Sequence, residues 1–395
     1  MAKIDDLIEK LCPNGVEYKP IWSLTAWDKK FNGIDKEKQK KIISYKYYLS
    51  TDFAKVERKD GNIKYISTGI SGDDRYTTEE LAGDYLADGE VVCIPWGGTP
   101  NVKYYKGKFV TGDNRIATSL DINILSNKFL YYWMQSKINV ISKFYRGSGI
   151  KHPSMKDVLD MNIAVPPLEV QCEIVHILDD FTLLSAELSA ELKARRKQYE
   201  YYKKTLFENK NIELKTLKEL ATNCDNKRKP ITSGNREKGE YHYYGASGIV
   251  DYVKGYIFDG DYLLISEDGA NLVARKTPIA FSISGKNWVN NHAHVLKFSN
   301  MYLQKYVEMY LNYINIEQYI SGAAQPKLNQ VNLNKIVIPI PNNDTLKNIV
   351  DILLKFDKIT NDISEGLPAE IEARQKQYEY YRDKLLTFKE LKVNE

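Results

Sequence analysis

His292-Ala-His294 sets two imidazoles on one face of a strand, a spacing zinc can use, but no third ligand accompanies them. Pro95-Trp-Gly-Gly-Thr99 is glycine-rich yet lacks the lysine and the helix signal of a phosphate loop, so it reads as a tight turn. Acid-x-Lys triplets such as Glu213-Leu-Lys215 occur in nucleases, but with 27% charged residues they also arise by chance. The chain has no Asn/Asp-Pro-Pro-aromatic motif, no GxGxxG opening a helix, and no Ser/His/Asp or Cys/His arrangement. Cys12, Cys93, Cys172 and Cys224 form no CxxC pair, which suggests neither a disulfide framework nor a zinc site and fits a reducing cytoplasm. These residues point away from an enzyme and toward a chain that binds no metal or cofactor of its own.

Binding chemistry is better represented. Arg75, Lys103, Arg115, Arg146, Lys151, Lys227, Arg228, Lys229, Arg275 and Lys327 could neutralise phosphates. Polar, glycine-flanked loops carry Trp96, Thr99, Asn101, Tyr243, Ser247, Glu267, Asn271 and His292, types that reach base edges. The net charge of +4 permits a nucleic-acid partner without demanding one. Met1-Ala-Lys-Ile-Asp-Asp opens on charges, and no run of ~18 apolar residues follows, so neither an export signal nor a membrane span is expected.

The elements that must position these residues are duplicated. Lys197-Gln-Tyr-Glu-Tyr-Tyr202 recurs as Lys376-Gln-Tyr-Glu-Tyr-Tyr381. Ahead of each copy the matches are collinear: Val16-Glu-Tyr-Lys-Pro-Ile with Ile212-Glu-Leu-Lys-Thr-Leu, Asn114 with Asn291, Ser148-Gly-Ile-Lys-His-Pro153 with Ser321-Gly-Ala-Ala-Gln-Pro326, and Ile174-Val-His-Ile with Ile349-Val-Asp-Ile. Asp88-Gly89 and Asp259-Gly260 read as turns, each preceding a short apolar strand. Short strand-like runs and one aromatic helix per copy, 127–144 and 301–319, suggest α+β modules with a twisted, barrel-like sheet.

A long helical segment follows each module. Apolar residues fall at 177, 181, 184, 188, 192, 199, 202 and 206 in the first, and at 349, 352, 356, 359, 363, 371, 378, 381 and 385 in the second. Residues 170–207 would span ~57 Å as a helix, more than a module of this size needs for its own core. Two such helices at matching places suggest an antiparallel coiled-coil pair with pseudo-two-fold symmetry. Glu365-Gly-Leu-Pro368 should kink or restart the second, with Pro368 in a first turn. The expected domains are a first recognition module at 1–155, a spacer helix at 156–210, a second module at 211–330 and a second spacer at 331–395.

The chain resembles the specificity subunits of type I restriction–modification systems over its whole length. The resemblance rests on Leu11-Cys-Pro-Asn-Gly-Val-Glu-Tyr18, Ile163-Ala-Val-Pro-Pro-Leu-Glu-Val-Gln171, Gln198-Tyr-Glu-Tyr-Tyr202, Tyr244-Gly-Ala-Ser-Gly248, Ile265-Ser-Glu-Asp-Gly-Ala-Asn271 and Asn290-Asn-His-Ala-His294. Pro341-Asn-Asn-Asp-Thr-Leu346 departs from it by lacking the Leu-x-x-Gln of the first helix entry. The resemblance implies that each module reads one half of a bipartite duplex site and that the helix pair sets the unread gap. It also implies docking of two methyltransferase subunits and, through them, restriction subunits, with S-adenosylmethionine, ATP and Mg bound on those partners. Residues beside the helix stripes, Gln171, Gln198, Tyr201, Gln377 and Tyr380, are the expected partner surface. The alternative is a coiled-coil scaffold without sequence-specific DNA binding.

Overall fold

The structure, a computed structural model, describes residues 2–70, 74–208, 212–322 and 325–391. The chain divides into two compact units, Met1–Leu188 with Ile371–Glu395, and Ser189–Glu370. The helix Leu168–Phe207 runs unbroken for 40 residues, its first half in one unit and its second half in the other. Each unit is therefore a mixed α+β module plus part of both long helical segments.

In the first unit six strands form one sheet in the order Thr25–Trp27, Asn114–Ser119, Ala87–Pro95, Lys103–Thr111, Ile63–Ile66 and Tyr76–Thr77. Every pairing is antiparallel except that of Ile63–Ile66 with Lys103–Thr111. Val92, Ile94 and Ala117 bury against Phe129, Leu130 and Trp133 of the helix Asn127–Ser136, whose first turn is capped by the Ser126 hydroxyl. Asp88-Gly89, expected as a turn, lies inside the strand instead. Gly89 faces Gly107 across the ladder, and both have positive φ, 155° and 122°.

The second module splits its strands between two four-stranded sheets. One orders Ala221–Asn223, Ala293–Phe298, Tyr262–Ser266 and Ala280–Ile283; the other orders Gly248–Val253, Lys238–Gly245, Lys286–Val289 and Phe258–Asp259. The helix Met301–Tyr313 drives Tyr306, Val307 and Leu311 into the core beside the first sheet.

Duplication is visible in the hydrogen bonding. Glu17–Pro20 pairs antiparallel with Asn162–Val165, and Glu213–Thr216 pairs in the same way with Val337–Ile340. Just beyond, Ile21 donates its N–H to the Met161 carbonyl and Leu217 to that of Ile336, each at 2.9 Å. The loops match in a different register from the one composition suggests. Pro95 faces Asn114 where Ser266 faces Ala293, so Asn114 corresponds to Ala293 rather than Asn291. Arg146 pairs with His152 where Ser321 pairs with Lys327, so Gly147 corresponds to Gly322 and Pro153 to Leu328, two residues from the sequence match. The glycine kept in place is the one with positive φ, 145° and 83°, which a side chain would strain. Ala323 and Ala324 of that match lie outside the described residues.

The start of the helix Leu168–Phe207 belongs to its own module, with Val170, Ile174 and Leu178 fully buried in the first core beside Leu385 and Leu386. Leu178 rather than Ile177 takes the core position. Farther along, the stripe residues 181, 184, 188, 192, 199, 202 and 206 are half-buried among exposed neighbours. In the first unit Phe181 stacks on Tyr381 at 5.6 Å, and in the second Phe356 meets Tyr202 at 5.3 Å and Tyr199 at 5.9 Å. Phe181 and Phe356 are equivalent in the repeat, as are Tyr202 and Tyr381. Each phenylalanine therefore meets the other helix's tyrosine, the reciprocity of an antiparallel pair. In the second unit the Arg196 guanidinium also reaches the Thr360 carbonyl at 3.4 Å.

The second helical segment breaks where Gly and Pro said it should. The helix Asn343–Asn361 ends, the Asp362 carboxylate accepts from the Ser364 N–H at 2.7 Å and the Glu365 N–H at 3.1 Å, and a new helix Leu367–Leu385 starts with Pro368 second. A Cβ on Gly366 would stand 2.5 Å from the Lys358 carbonyl oxygen and 2.6 Å from that of Asp362. Gly366→Ala is expected to destabilise the chain by about 1–3 kcal/mol through this overpacking; a urea midpoint unchanged from the parent would refute it.

Candidate nucleic-acid interface

Each module carries a buried charged node at the same place in its sheet. In the first, the Asp28 carboxylate accepts the Ile116 N–H at 3.0 Å and lies 3.9 Å from the Arg115 guanidinium. Arg115 is 4% exposed, pairs with Asp113 at 3.1 Å and lies over the Trp96 ring at 4.0 Å. In the second, the Asp225 carboxylate accepts the Val295 N–H at 2.8 Å, and His294 stands where Arg115 does. The His294 ring nitrogens face Asp225 at 2.6 Å and the Leu328 carbonyl at 2.7 Å. Glu267, the counterpart of Trp96, is 2.6 Å from Arg228 and 3.2 Å from Lys327, and Arg228 is 3.4 Å from Asp225. Burial pushes Asp225 and Glu267 up, but their hydrogen bonds and the charges of their neighbours together outweigh it, led by the hydrogen bond from His294 to Asp225 and from Arg228 to Glu267, and hold both below the ordinary carboxylate range.

Asp225, Glu267 and His294 offer ligand atoms within 4.8 Å of one another. Arg228 and Lys327 already supply positive charge to the two carboxylates, so the cluster works as a neutralised brace between strands. His292 turns away from this group to Asp268 at 2.8 Å, so the His-x-His pair does not converge.

Several residues expected to contact DNA are occupied by the fold instead. Arg75 forms a two-pronged pair with Glu57 at 2.7 and 3.0 Å over the Phe53 and Tyr65 rings. Lys103 donates to the Ser67 hydroxyl at 3.0 Å, and Asn101 to the Thr68 carbonyl at 3.0 Å. Tyr243 is 1% exposed and accepts the Ile231 N–H on its hydroxyl. Asn271 closes its own loop, its amide donating to the Thr277 carbonyl and accepting the Thr277 N–H. Arg275 adopts φ 51° and donates to the Leu311 and Ile314 carbonyls at the end of the helix Met301–Tyr313, a helix-capping position. Arg115, Arg228 and Glu267 are likewise committed to the nodes.

The others reach the surface. In the first module Thr99 and Lys151 are exposed on loops joined by the Gly98 N–H to Lys151 carbonyl bond at 3.1 Å, with Trp96 half-buried at their base. Arg146, paired with Asp157, is 72% exposed. In the second, Lys227 and Lys229 are exposed, and Lys327 is about half so. Ser247 and His292 line a cleft of about 490 Å³ with Arg236, Asn290, Asn291 and Asp268, a mix of donors and acceptors suited to base edges.

On the helices, Tyr201 and Tyr380 occupy the same place in the twin motif and are 66% and 63% exposed. Gln198 and Gln377 beside them each accept from an arginine three residues earlier, Arg195 at 3.2 Å and Arg374 at 2.9 Å. Gln171 is a correction. It is fully buried, its amide donating to the Ile124 and Pro166 carbonyls and accepting the Ser126 N–H, so it locks the helix entry and presents nothing to a partner. Its counterpart is Leu346, an equally inward but apolar side chain.

The family model for the type I restriction modification DNA specificity domain matches the chain twice, at residues 38–195 and 209–373. The chain belongs to that family. A type I restriction enzyme specificity subunit of Escherichia coli is 32% identical over 349 residues, 79% of this chain and 83% of that protein. A putative specificity subunit of Haemophilus influenzae is 36% identical over 190 residues, 47% of this chain, and the chain spans about half (49%) of that relative's length. The crystal structure of a type I restriction–modification S subunit from M. genitalium shares the fold, with a TM-score of 0.60 at 19% identity over 94% of this chain and 96% of that one. Among the described residues no helix is long and apolar enough to cross a membrane.

Sequence reasoning missed the two node carboxylates in this family member. Asp28 and Asp225 follow edge strands with no motif around them, and only the pairing to Ile116 and Val295 reveals their common role. Burial raises Asp28 to about 6 against the opposing Ile116 hydrogen bond and Arg115 charge. The unfolded chain releases this proton near 3.9. Between those values the folded state binds more protons, so stability falls as pH rises through the window, and ionised Asp28 is a net cost above it. Asp28→Asn keeps an oxygen for Ile116. It is expected to gain on the order of 1–3 kcal/mol above pH 6 and little at pH 4. Equal pH profiles in denaturant unfolding would contradict this.

Proposed function

We infer that this chain is the sequence-reading, non-catalytic subunit of a type I restriction–modification complex. Each module takes one half of a bipartite duplex site, and the helix pair fixes the number of unread bases between halves. The observation that carries this is the duplication: one scaffold used twice, with the equivalent nodes built from Arg115 and Trp96 in one copy and from His294 and Glu267 in the other. A frame held constant while its loops change chemistry suits the reading of two different half-sites.

Two methyltransferase subunits would dock on the repeated helix surface marked by Tyr201 and Tyr380, exposed aromatics of the kind that anchor interfaces. They would bring S-adenosylmethionine and flip the target base, and restriction subunits joined through them would bring ATP and Mg. The cytoplasm, where DNA and these cofactors meet, is the compartment this requires. The test is a gel shift on random duplexes with the chain alone and with methyltransferase subunits, followed by sequencing of the bound fraction. Enrichment of a two-part motif supports the reading, and equal recovery of all sequences in both conditions overturns it. Tyr201→Ala with Tyr380→Ala should weaken methyltransferase association by tenfold or more in titration calorimetry, with the chain's melting temperature unchanged.

A further inference from the structure

A cavity of about 430 Å³ opens in the first module beside the Arg115–Trp96 stack. Four cations line it, Lys29, Lys30, Arg115 and Lys156, and no carboxylate does. Asp113, behind the wall, pairs with Lys29 at 3.4 Å and with Arg115 at 3.1 Å. Lys30 and Lys156 are exposed and, among the described residues, have no acidic partner. A hydroxyl donor is also free. Among the described residues the Ser154 side chain, on the same wall, donates no hydrogen bond, and it accepts none from the helix Met155–Leu159 that it precedes, whereas its counterpart Asn329 accepts the Asn332 N–H at 2.9 Å to cap the helix Gln330–Asn334.

A concave wall with surplus positive charge and an unused hydroxyl donor calls for an oxyanion. A base edge fits poorly, since a base needs acceptors as well as donors, and the near face of Trp96 is already covered by Arg115. The second module differs at this corner, because Lys156 corresponds to Val331, which is 64% exposed.

We propose that Lys30, Lys156 and Ser154 form a phosphate seat that grips one backbone phosphodiester of duplex DNA in the first module only. This rests on the reading of the modules as DNA-binding. A phosphate clamp positions the module on the duplex and adds affinity without adding sequence preference. The same oxyanion could come from a free nucleotide, and the experiment separates the two sources.

The full chain is titrated with a random-sequence duplex across a salt series, and log K is plotted against log salt. The expected result for the Lys30→Ala, Lys156→Ala double variant is a slope shallower by about 1 and affinity lower by roughly tenfold near 0.1 M salt, with Lys30→Arg, Lys156→Arg restoring both. Ser154→Ala should lower affinity by a few-fold with the slope retained. An unchanged slope in the double alanine variant, with the parent binding duplex normally, overturns the seat. So does ATP binding in equilibrium dialysis that the double variant loses while its duplex slope stays at the parent value. If the parent binds no duplex at any salt, the DNA-binding reading itself fails, a different result from either.

Discussion

Four residues inserted at 187–196 of the helix Leu168–Phe207 are expected to move the chain to a new target with the same half-sites and a wider unread gap. Four residues add ~6 Å of helix and about 40° of rotation beyond one full turn, so the half-buried stripe at 184, 188, 192 and 199 stays nearly in line with its partner. At ~3.4 Å per base pair, 6 Å corresponds to a gap longer by one or two base pairs. Insertions of two residues would carry the stripe about 200° around the helix and tear Tyr199 and Tyr202 from Phe356, so they should cost stability instead of retuning the gap. Methylome sequencing of cells carrying the four-residue variant reads the outcome directly. An unchanged gap would remove the helix pair as the spacer.

Arg228→Ala is expected to cost the second module about 3–5 kcal/mol, because it leaves Asp225 and Glu267 buried beside His294 with only Lys327 to balance them. The loss has a pH signature. Arg228 helps hold Glu267 below its ordinary range, and a depressed carboxylate contributes stability above its unfolded value that is lost as pH falls through the folded one. Removing Arg228 removes that contribution, so the deficit should be largest near pH 7 and shrink toward pH 4. Arg228→Lys should recover only part of it, since a single ammonium cannot reach Asp225, Glu267 and the Ala293 carbonyl at once. A deficit independent of pH would show that Arg228 acts through packing alone.

Much of the frame was legible in the residues. The twin Lys-Gln-Tyr-Glu-Tyr-Tyr motifs announced a duplication, the apolar steps of three and four announced two long helices, and Gly366 with Pro368 announced the break between Asn361 and Leu367. Such signals are local: periodicity, turn chemistry and helix starts follow from short stretches of chain. The candidate site was far less legible. Arg75, Arg115, Arg228 and Arg275, expected on phosphates, each found partners 18 to 87 residues away, and Gln171 was claimed by the loop at Ile124.

By itself the sequence determined that the chain is a repeat and where its helices run, because these depend on spacing along the backbone, but not every residue they bury: in the second segment Ile352, Ile359 and Ile363 of the expected stripe are exposed, and Leu353 and Thr360 take the inward places. Only the tertiary structure decided which cations remain available. A guanidinium beside a carboxylate brought in from another strand is spent on the fold, while Lys30 and Lys156, ordinary in the sequence, are left facing an open cavity. Availability depends on the desolvation and pairing of each charge, and both are set by neighbours that only folding brings together.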